Sequence, residues 1–347
     1  MSKMLDEALA SADVVAAQLA DTGPVDALAR RLAAMPRHVA LTVARGSSDH
    51  AASYFAALTM SRIGVPVASL PMSIATLQQA PLRVRDQFAI AFSQSGRSPD
   101  LVETMCALRD AGALTAAAVN APASPLADAA GIELPLRAGR ELSVAATKSY
   151  VAMLAISAQL VTFWQRDGAL LDALRALPEA LGRAGRLDWA RAIDALSDVS
   201  QMIVIGRGTG LAIAQEAALK LKETSGIQAE AFSSAEVRHG PMELIGEGYP
   251  ILVFAPRGPE QAGLIELARD MKGRGASVLL AVPPGAIADA HAQEAADAML
   301  PLATTADPVL DPIAAILTFY VMAAALAAAR GRNPDEPRYL NKVTQTR

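Results

Sequence analysis

The chain has 347 residues, 52% of them hydrophobic and 19% charged, with a net charge of −4. That length and composition suit a well-packed protein of about two domains and exclude a disordered one. There is no basic field for nucleic acid, and at 4% aromatics the chain offers no stacking platform for bases. Cys106 is the single cysteine, so an intrachain disulfide or cysteine–zinc site is excluded and a reducing, cytoplasmic setting is expected. His38, His50, His239 and His291 are scattered singly and show no metal-ligand spacing. The first residues carry acids where a signal peptide needs a basic start and an apolar run.

From Met1 to Pro36 the pattern is that of amphipathic helices broken at Gly23-Pro24. His38 to Ala44 is a short β-branched strand ending in Arg45-Gly46-Ser47-Ser48, with a helix expected from Asp49 to Ile63. Strands are predicted at Val65–Leu70, Gln87–Phe92, Leu114–Val119 and Ile132–Leu136, with helices over Pro71–Ala80 and from Pro99 to Ala111. A long apolar helix then runs to Trp164, and Asp167–Ser200 is helical and alanine-rich. The pattern restarts at strand Gln201–Gly206. Arg45-Gly46-Ser47 and Arg207-Gly208-Thr209 lie 162 positions apart, and the same offset superposes Phe88–Gly96 on Pro250–Gly258. Strands alternating with helices, twice over at one offset, predict an α/β protein of two duplicated domains with parallel sheets. The apolar run Ile313–Ala329 is at the lower limit for a membrane span and is read as a buried helix.

The most suggestive stretch is Gln215 to Met242. Gln215–Thr224 is a strong helix former, ended by Ser225-Gly226. Glu216, Lys220 and Glu223 share one face, and His239 follows in Arg-His-Gly-Pro. Two readings stand: proton transfer on a small polar substrate, or a surface Glu–Lys pair and a turn histidine. Ligands of open parallel sheets bind outside the carboxyl ends of the strands. Ser93, Gln94, Ser95 and Ser98 lie at such an end with Gly96, which predicts an oxyanion cradle formed by hydroxyls and helix N–H groups. The alternative is a serine-rich helix cap. Ser48 has the same two readings. The matching loop of the second repeat, Ala255-Pro256-Arg257-Gly258, has lost the hydroxyls and reads as non-binding. By composition Lys342, in the C-terminal tail, is a solvated residue.

These motifs together resemble the tandem sugar isomerase (SIS) domain family, specifically the isomerase half of glucosamine-6-phosphate synthase (glutamine–fructose-6-phosphate aminotransferase). The resemblance is carried by R-G-S-S-D-H, S-Q-S-G-R-S-P-D, E-L-S-V-A-A-T-K, Q-E-A-A-L-K-L-K-E with A-E-A-F-S-S-A-E-V-R-H-G-P, and P-R-Y-L-N-K-V-T. It implies two tandem doubly wound, flavodoxin-like SIS domains. The expected partition is N-terminal helices 1–36, SIS domains 37–166 and 201–331, a connector 167–200 and a closing tail 332–347. It implies that Ser93, Gln94, Ser95 and Ser98 hold a sugar 6-phosphate, with Ser47 and Ser48 nearby. Glu223 would move a proton between C1 and C2, and Lys220, held by Glu216, would stabilise the enolic charge. His239 would open the sugar ring in a neighbouring subunit of a homodimer. Lys342 would close over the site and form a Schiff base with a ketose.

Two departures matter. Ala146 stands where the synthase has a sugar-contacting serine. No glutamine-hydrolysing domain or N-terminal cysteine nucleophile is present in the sequence, so the chain is similar to the stand-alone deaminases of the family. The expected reaction is glucosamine 6-phosphate plus water to fructose 6-phosphate plus ammonia, without metal, organic cofactor, nucleic acid or membrane. Alternatives are a deglycase or isomerase acting on another amino- or ketose phosphate, such as galactosamine 6-phosphate or a fructosyl-amino-acid phosphate, and a non-catalytic sugar-phosphate sensor.

Overall fold

A computed structural model describes residues 2–36 and 39–342. Strands form where β-branched and alanine-rich apolar runs can be covered on both faces. The first five are β1 (Ala40–Val43), β2 (Val67–Ser69), β3 (Phe88–Ser93), β4 (Leu114–Val119) and β5 (Glu133–Pro135). They form one wholly parallel sheet in the order β2-β1-β3-β4-β5. The second five are β6 (Gln201–Gly206), β7 (Gln228–Ser233), β8 (Pro250–Phe254), β9 (Ser277–Val282) and β10 (Ala298–Pro301). Their order, β7-β6-β8-β9-β10, is the same and is again parallel. This is the doubly wound, flavodoxin-like order, with a topological switch point between the first and third strands of each repeat.

The duplication extends to single dihedral angles. Gly46 precedes the Ser47–Ile63 helix with φ 55° and ψ −133°. Gly208, 162 positions later, precedes the Thr209–Lys220 helix with φ 56° and ψ −132°. A side chain at either position would be strained, so glycine is required twice for one reason.

Several boundaries differ from the sequence expectation. The Ser47–Ile63 helix starts two residues before Asp49, because Gly46 already makes the turn into it. The helix expected over Pro71–Ala80 shrinks to Ser73–Thr76. Strand β7 was not anticipated at all. His38, expected to begin the first strand, lies outside the described residues. The segment 167–200 contains the helices Gly168–Arg175, Leu177–Ala184 and Ala190–Leu196, and no strand.

Packing divides the chain into two units that do not follow the linear partition. Among the described residues, one unit, here the first-sheet unit, comprises 13–36, 39–141, 148–175 and 341–342; the second-sheet unit comprises 2–12, 142–147 and 176–340. The N-terminal helices are therefore not one module. The Lys3–Leu9 helix joins the second-sheet unit because Asp335 caps it, accepting from the N–H groups of Lys3 and Met4 at 2.9 and 2.7 Å. The Asp311–Ala329 helix is buried nearly all round in that unit, against the Thr209–Lys220 and Lys3–Leu9 helices. Pro308–Ala329 is long and apolar enough to cross a membrane by composition, but most of it is enclosed by protein.

Candidate active site

In the first-sheet unit, β1 and β3 deliver their C-terminal loops to one cavity of about 360 Å³. Ser93, Gln94, Ser95 and Ser98 line it, as does Ser48 from the first turn of the Ser47–Ile63 helix. Ser47 sits in that same turn but is not part of the lining. Ser48 is not a helix cap, since Gly46 holds that position. Ser98 is the N-cap of the Pro99–Asp110 helix, yet its hydroxyl makes no capping bond. The loop is organised from within. Ser93 Oγ accepts the Gly96 N–H at 3.0 Å, and Ser95 Oγ accepts the Arg97 N–H at 3.3 Å. Those two N–H groups are thus taken, contrary to the simplest cradle, while each hydroxyl keeps its own proton to donate. Gly96 has φ +62°, and a Cβ there would lie 2.2 Å from Ser124 Oγ. Only glycine lets the loop turn this tightly.

Lys342 also lines this cavity. It is not the solvated residue that its polar tail suggests: its side chain is 25% exposed and its Nζ lies 3.1 Å from Glu141 Oε2. Glu141 is buried and also accepts from the backbone N–H and the hydroxyl of Ser149, at 3.1 and 2.7 Å. Arg45 lines the cavity too, and its Nε donates to Asp100 Oδ2 at 3.1 Å. Asp49, one residue beyond Ser48, is raised above the ordinary carboxylate range by burial, against the opposing pull of His50 and Arg45 and a hydrogen bond from Ser69.

The second-sheet unit holds the Glu216–Lys220–Glu223 cluster. The Thr209–Lys220 helix does not continue as an α-helix to Thr224; it widens into a π-turn over Leu221–Ser225, closed by Gly226 at φ 64°. Thr224 Oγ1 donates back to the Lys220 carbonyl at 2.8 Å within this turn. Such single-turn π segments recur at functional sites. Here the turn brings Lys220 and Glu223 into direct contact while Lys220 Nζ also lies 3.4 Å from Glu216 Oε1. Glu216 and Lys220 are fully buried, whereas Glu223 is 20% exposed at its side chain. Tyr320, on the Asp311–Ala329 helix, donates its hydroxyl to Glu216 Oε1 at 3.0 Å. Burial alone pulls the Lys220 ammonium down, but Glu216 and then Glu223 outweigh it, and it ends above the ordinary lysine value of 10.5. A solvated surface pair is thereby ruled out. The group is a buried cation between two carboxylates, one of which reaches the surface.

His239 ends the 3₁₀ turn Glu236–His239 and is exposed. It lines a different cavity, of about 640 Å³, with Arg207, Ser234, Arg238 and Glu260. Ala146 is half-buried in the loop 142–147. Among the described residues, no cluster of three or more His, Cys, Asp or Glu is placed to hold a metal ion.

Sequence reasoning missed Tyr320, Asp100 and Glu141. Tyr320 holds Glu216 and Glu141 holds Lys342, both of which the sequence nominated, whereas Asp100 holds Arg45, which it did not nominate. Glu141 opens a quoted motif and Asp100 stands in Ser-Pro-Asp, so both had a local signal. Tyr320, more than a hundred positions from Glu216, had none.

Fold and site define a tandem-repeat α/β protein with a serine-lined cavity at one switch point and a largely buried Glu–Lys–Glu group in the other repeat. The SIS domain family model matches residues 36–163 and 195–328, and the chain belongs to that family. It is 35% identical over 306 residues to the glutamine–fructose-6-phosphate aminotransferase [isomerizing] of Methanothermobacter thermautotrophicus, covering 86% of this chain and 50% of the relative. The chain thus spans about half the length of the curated relatives it matches. Among solved structures it is similar to a candidate phosphosugar isomerase from Silicibacter pomeroyi DSS-3, with a TM-score of 0.89 and 36% identity over 96% of this chain and 100% of that one. A glucosamine-6-phosphate deaminase from Thermotoga maritima shares the fold, with a TM-score of 0.76 and 20% identity over 99% and 100% of the two chains.

Proposed function

We propose that the protein is an aminosugar-phosphate deaminase/isomerase that converts glucosamine 6-phosphate and water to fructose 6-phosphate and ammonia. The observation that carries this reading is the Glu223 carboxylate, 20% exposed, set against a fully buried Lys220 ammonium. A carboxylate that must take and return one proton needs a nearby fixed cation to stabilise the charge that develops on the substrate.

In the proposed reaction the Ser93–Ser98 loop and Ser48 grip the 6-phosphate. His239 assists ring opening to the aldehyde. Glu223 removes the C2 proton, giving an enol at C1 and C2 whose oxygen is stabilised by Lys220. Glu216, bonded to Tyr320, holds Lys220 in place. Glu223 returns the proton to C1, which leaves an imine at C2. Water adds to that imine and ammonia departs, so one water is consumed and no electrons leave the substrate. Lys342 covers the phosphate end. Similarity to aminotransferase relatives supports an aminosugar or ketose 6-phosphate as the substrate class. We also propose a homodimer in which His239 serves the neighbouring subunit.

Ammonia and ketose phosphate are to be measured with glucosamine 6-phosphate and galactosamine 6-phosphate side by side. Release of ammonia from glucosamine 6-phosphate, abolished in Glu223→Gln, is the expected result; absence of ammonia from either sugar removes the proposal. Mixing Glu223→Gln with His239→Asn subunits should restore activity if the histidine crosses between subunits.

A further inference from the structure

The serines of the first-repeat loop donate hydrogen bonds but bring no charge, whereas a phosphate monoester carries close to two negative charges at neutral pH. The cavity has two cationic side chains on its wall, Lys342 and Arg45. Lys342 already contacts the buried Glu141. Arg45 is held differently. Its Nε edge is fixed by Asp100, which is 1% exposed at its side chain, while the arginine side chain remains 55% exposed. Asp100 sits in the first turn of the Pro99–Asp110 helix and also accepts the Leu101 N–H at 2.9 Å, so the helix end shares its charge. The two terminal guanidinium nitrogens of Arg45 make no hydrogen bond within the described residues. A planar fork anchored on one edge and open on the other suits bidentate recognition of an oxyanion.

The second repeat gives independent support. Arg207 is the counterpart of Arg45, and it lines a cavity together with Glu260, the counterpart of Ser98. A methyl built on Gly208 would meet Glu260 Oε1 at 2.6 Å, and one built on Gly258 would meet Oε2 at 3.1 Å. The Glu260 carboxylate therefore lies against the two glycines that correspond to Gly46 and Gly96. Where this repeat has no serine cradle, its own side chain puts a carboxylate in that corner, in a cavity that Arg207 also lines while donating to Ser234 Oγ at 3.3 Å.

We propose that Arg45 is the phosphate-recognising cation of the first repeat, positioned by Asp100 through Nε and binding phosphate oxygens through its terminal nitrogens. The role of that phosphate as the tail of an aminosugar rests on the functional reading above, but anion binding by Arg45 can be measured without it. The probe is inorganic phosphate, titrated by calorimetry into the full chain. Arg45→Met is expected to weaken binding roughly tenfold to a hundredfold, the range for one lost charge-assisted contact, and also to lower the melting temperature because the buried Asp100 loses its partner. Arg45→Lys should recover only part of the loss, because an ammonium cannot reproduce the fork. Asp100→Asn should fall between the wild type and Arg45→Met. A merely structural arginine would lower the melting temperature and leave phosphate affinity alone. Phosphate affinity of Arg45→Met or Arg45→Lys within twofold of the wild type would overturn the proposal, as would a wild type that binds no phosphate. If phosphate binding depends on Arg45 but no aminosugar phosphate releases ammonia, the deaminase reading falls and the phosphate site stands.

Discussion

The two repeats share strand order, register and the backbone of one unusual glycine, yet their switch-point loops do opposite things. In the first, Ser93, Gln94, Ser95 and Ser98 face a cavity and satisfy only part of their hydrogen-bonding capacity internally. In the second, the same register holds Ala255, Pro256, Arg257 and Glu260. Arg257 is clamped by Asp311 through two bonds of 2.7 Å and by the Thr305 carbonyl, also at 2.7 Å. Glu260 fills the space between Gly208 and Gly258. The hydroxyls have been replaced by an alanine, a proline, an arginine tied to Asp311 and a glutamate. The difference teaches that one duplicated backbone can leave a hydroxyl-lined cavity or be filled by a carboxylate of the chain itself, depending on four side chains; under the proposed phosphate site, the first repeat takes its anion from solution. The proposed function divides the labour accordingly: the first repeat supplies the anion cradle and the second the acid–base group.

The comparison can be broken most severely at the acid–base group. Glu223→Gln should lower kcat by roughly a hundredfold to ten-thousandfold, the range for a lost general base, with KM for glucosamine 6-phosphate nearly unchanged. Steady-state kinetics would show it, and near-normal kcat would separate Glu223 from the chemistry. Lys220→Met leaves Glu216 buried without its cation and should cost about 3–5 kcal/mol in denaturant-induced unfolding. The same variant tests a pH effect. Because the folded Lys220 pKa is raised, its contribution to stability is fully present below pH 10.5 and is lost only as pH climbs through the higher folded value. The stability gap between wild type and Lys220→Met should therefore stay constant up to that pH and narrow above it.

Smaller effects sharpen the contrast between the loops. Gly96→Ala forces a side chain into the left-handed region and against Ser124, and should weaken phosphate binding by roughly tenfold or more, since the backbone term alone is about 1–2 kcal/mol. Gly258→Ala, in the loop without a cradle, should leave phosphate affinity unchanged. Finally, Glu260→Ser removes the internal carboxylate and should add a second, weaker phosphate site per chain, visible as an increased calorimetric stoichiometry.

Much of this was legible before any coordinates. Strand positions, the 162-residue offset and the Ser-Gln-Ser-Gly loop are local signals, written in β-branched runs, glycines and hydroxyls that act within a few residues of one another. Glu216, Lys220 and Glu223 were legible as a cluster because a helix brings them together by its own period. Their state was not: a stripe of charges reads as a solvated face unless something covers it. Coverage comes from the Asp311–Ala329 helix with Tyr320, far along the chain. The π-turn was equally hidden, since the stretch has excellent α-helix propensity and the departure is a compromise with packing and the Thr224 back-bond.

By itself, then, the sequence determined the duplicated parallel sheets, the glycine-dependent loops and the chemical types available at each strand end, because all of these follow from short-range sterics and periodicity. Only the tertiary structure decided which charges are buried and which partner each one meets: Lys342 with Glu141, Arg45 with Asp100, Lys220 with both glutamates. Desolvation and pairing depend on what packs from distant parts of the chain, and no local pattern encodes that.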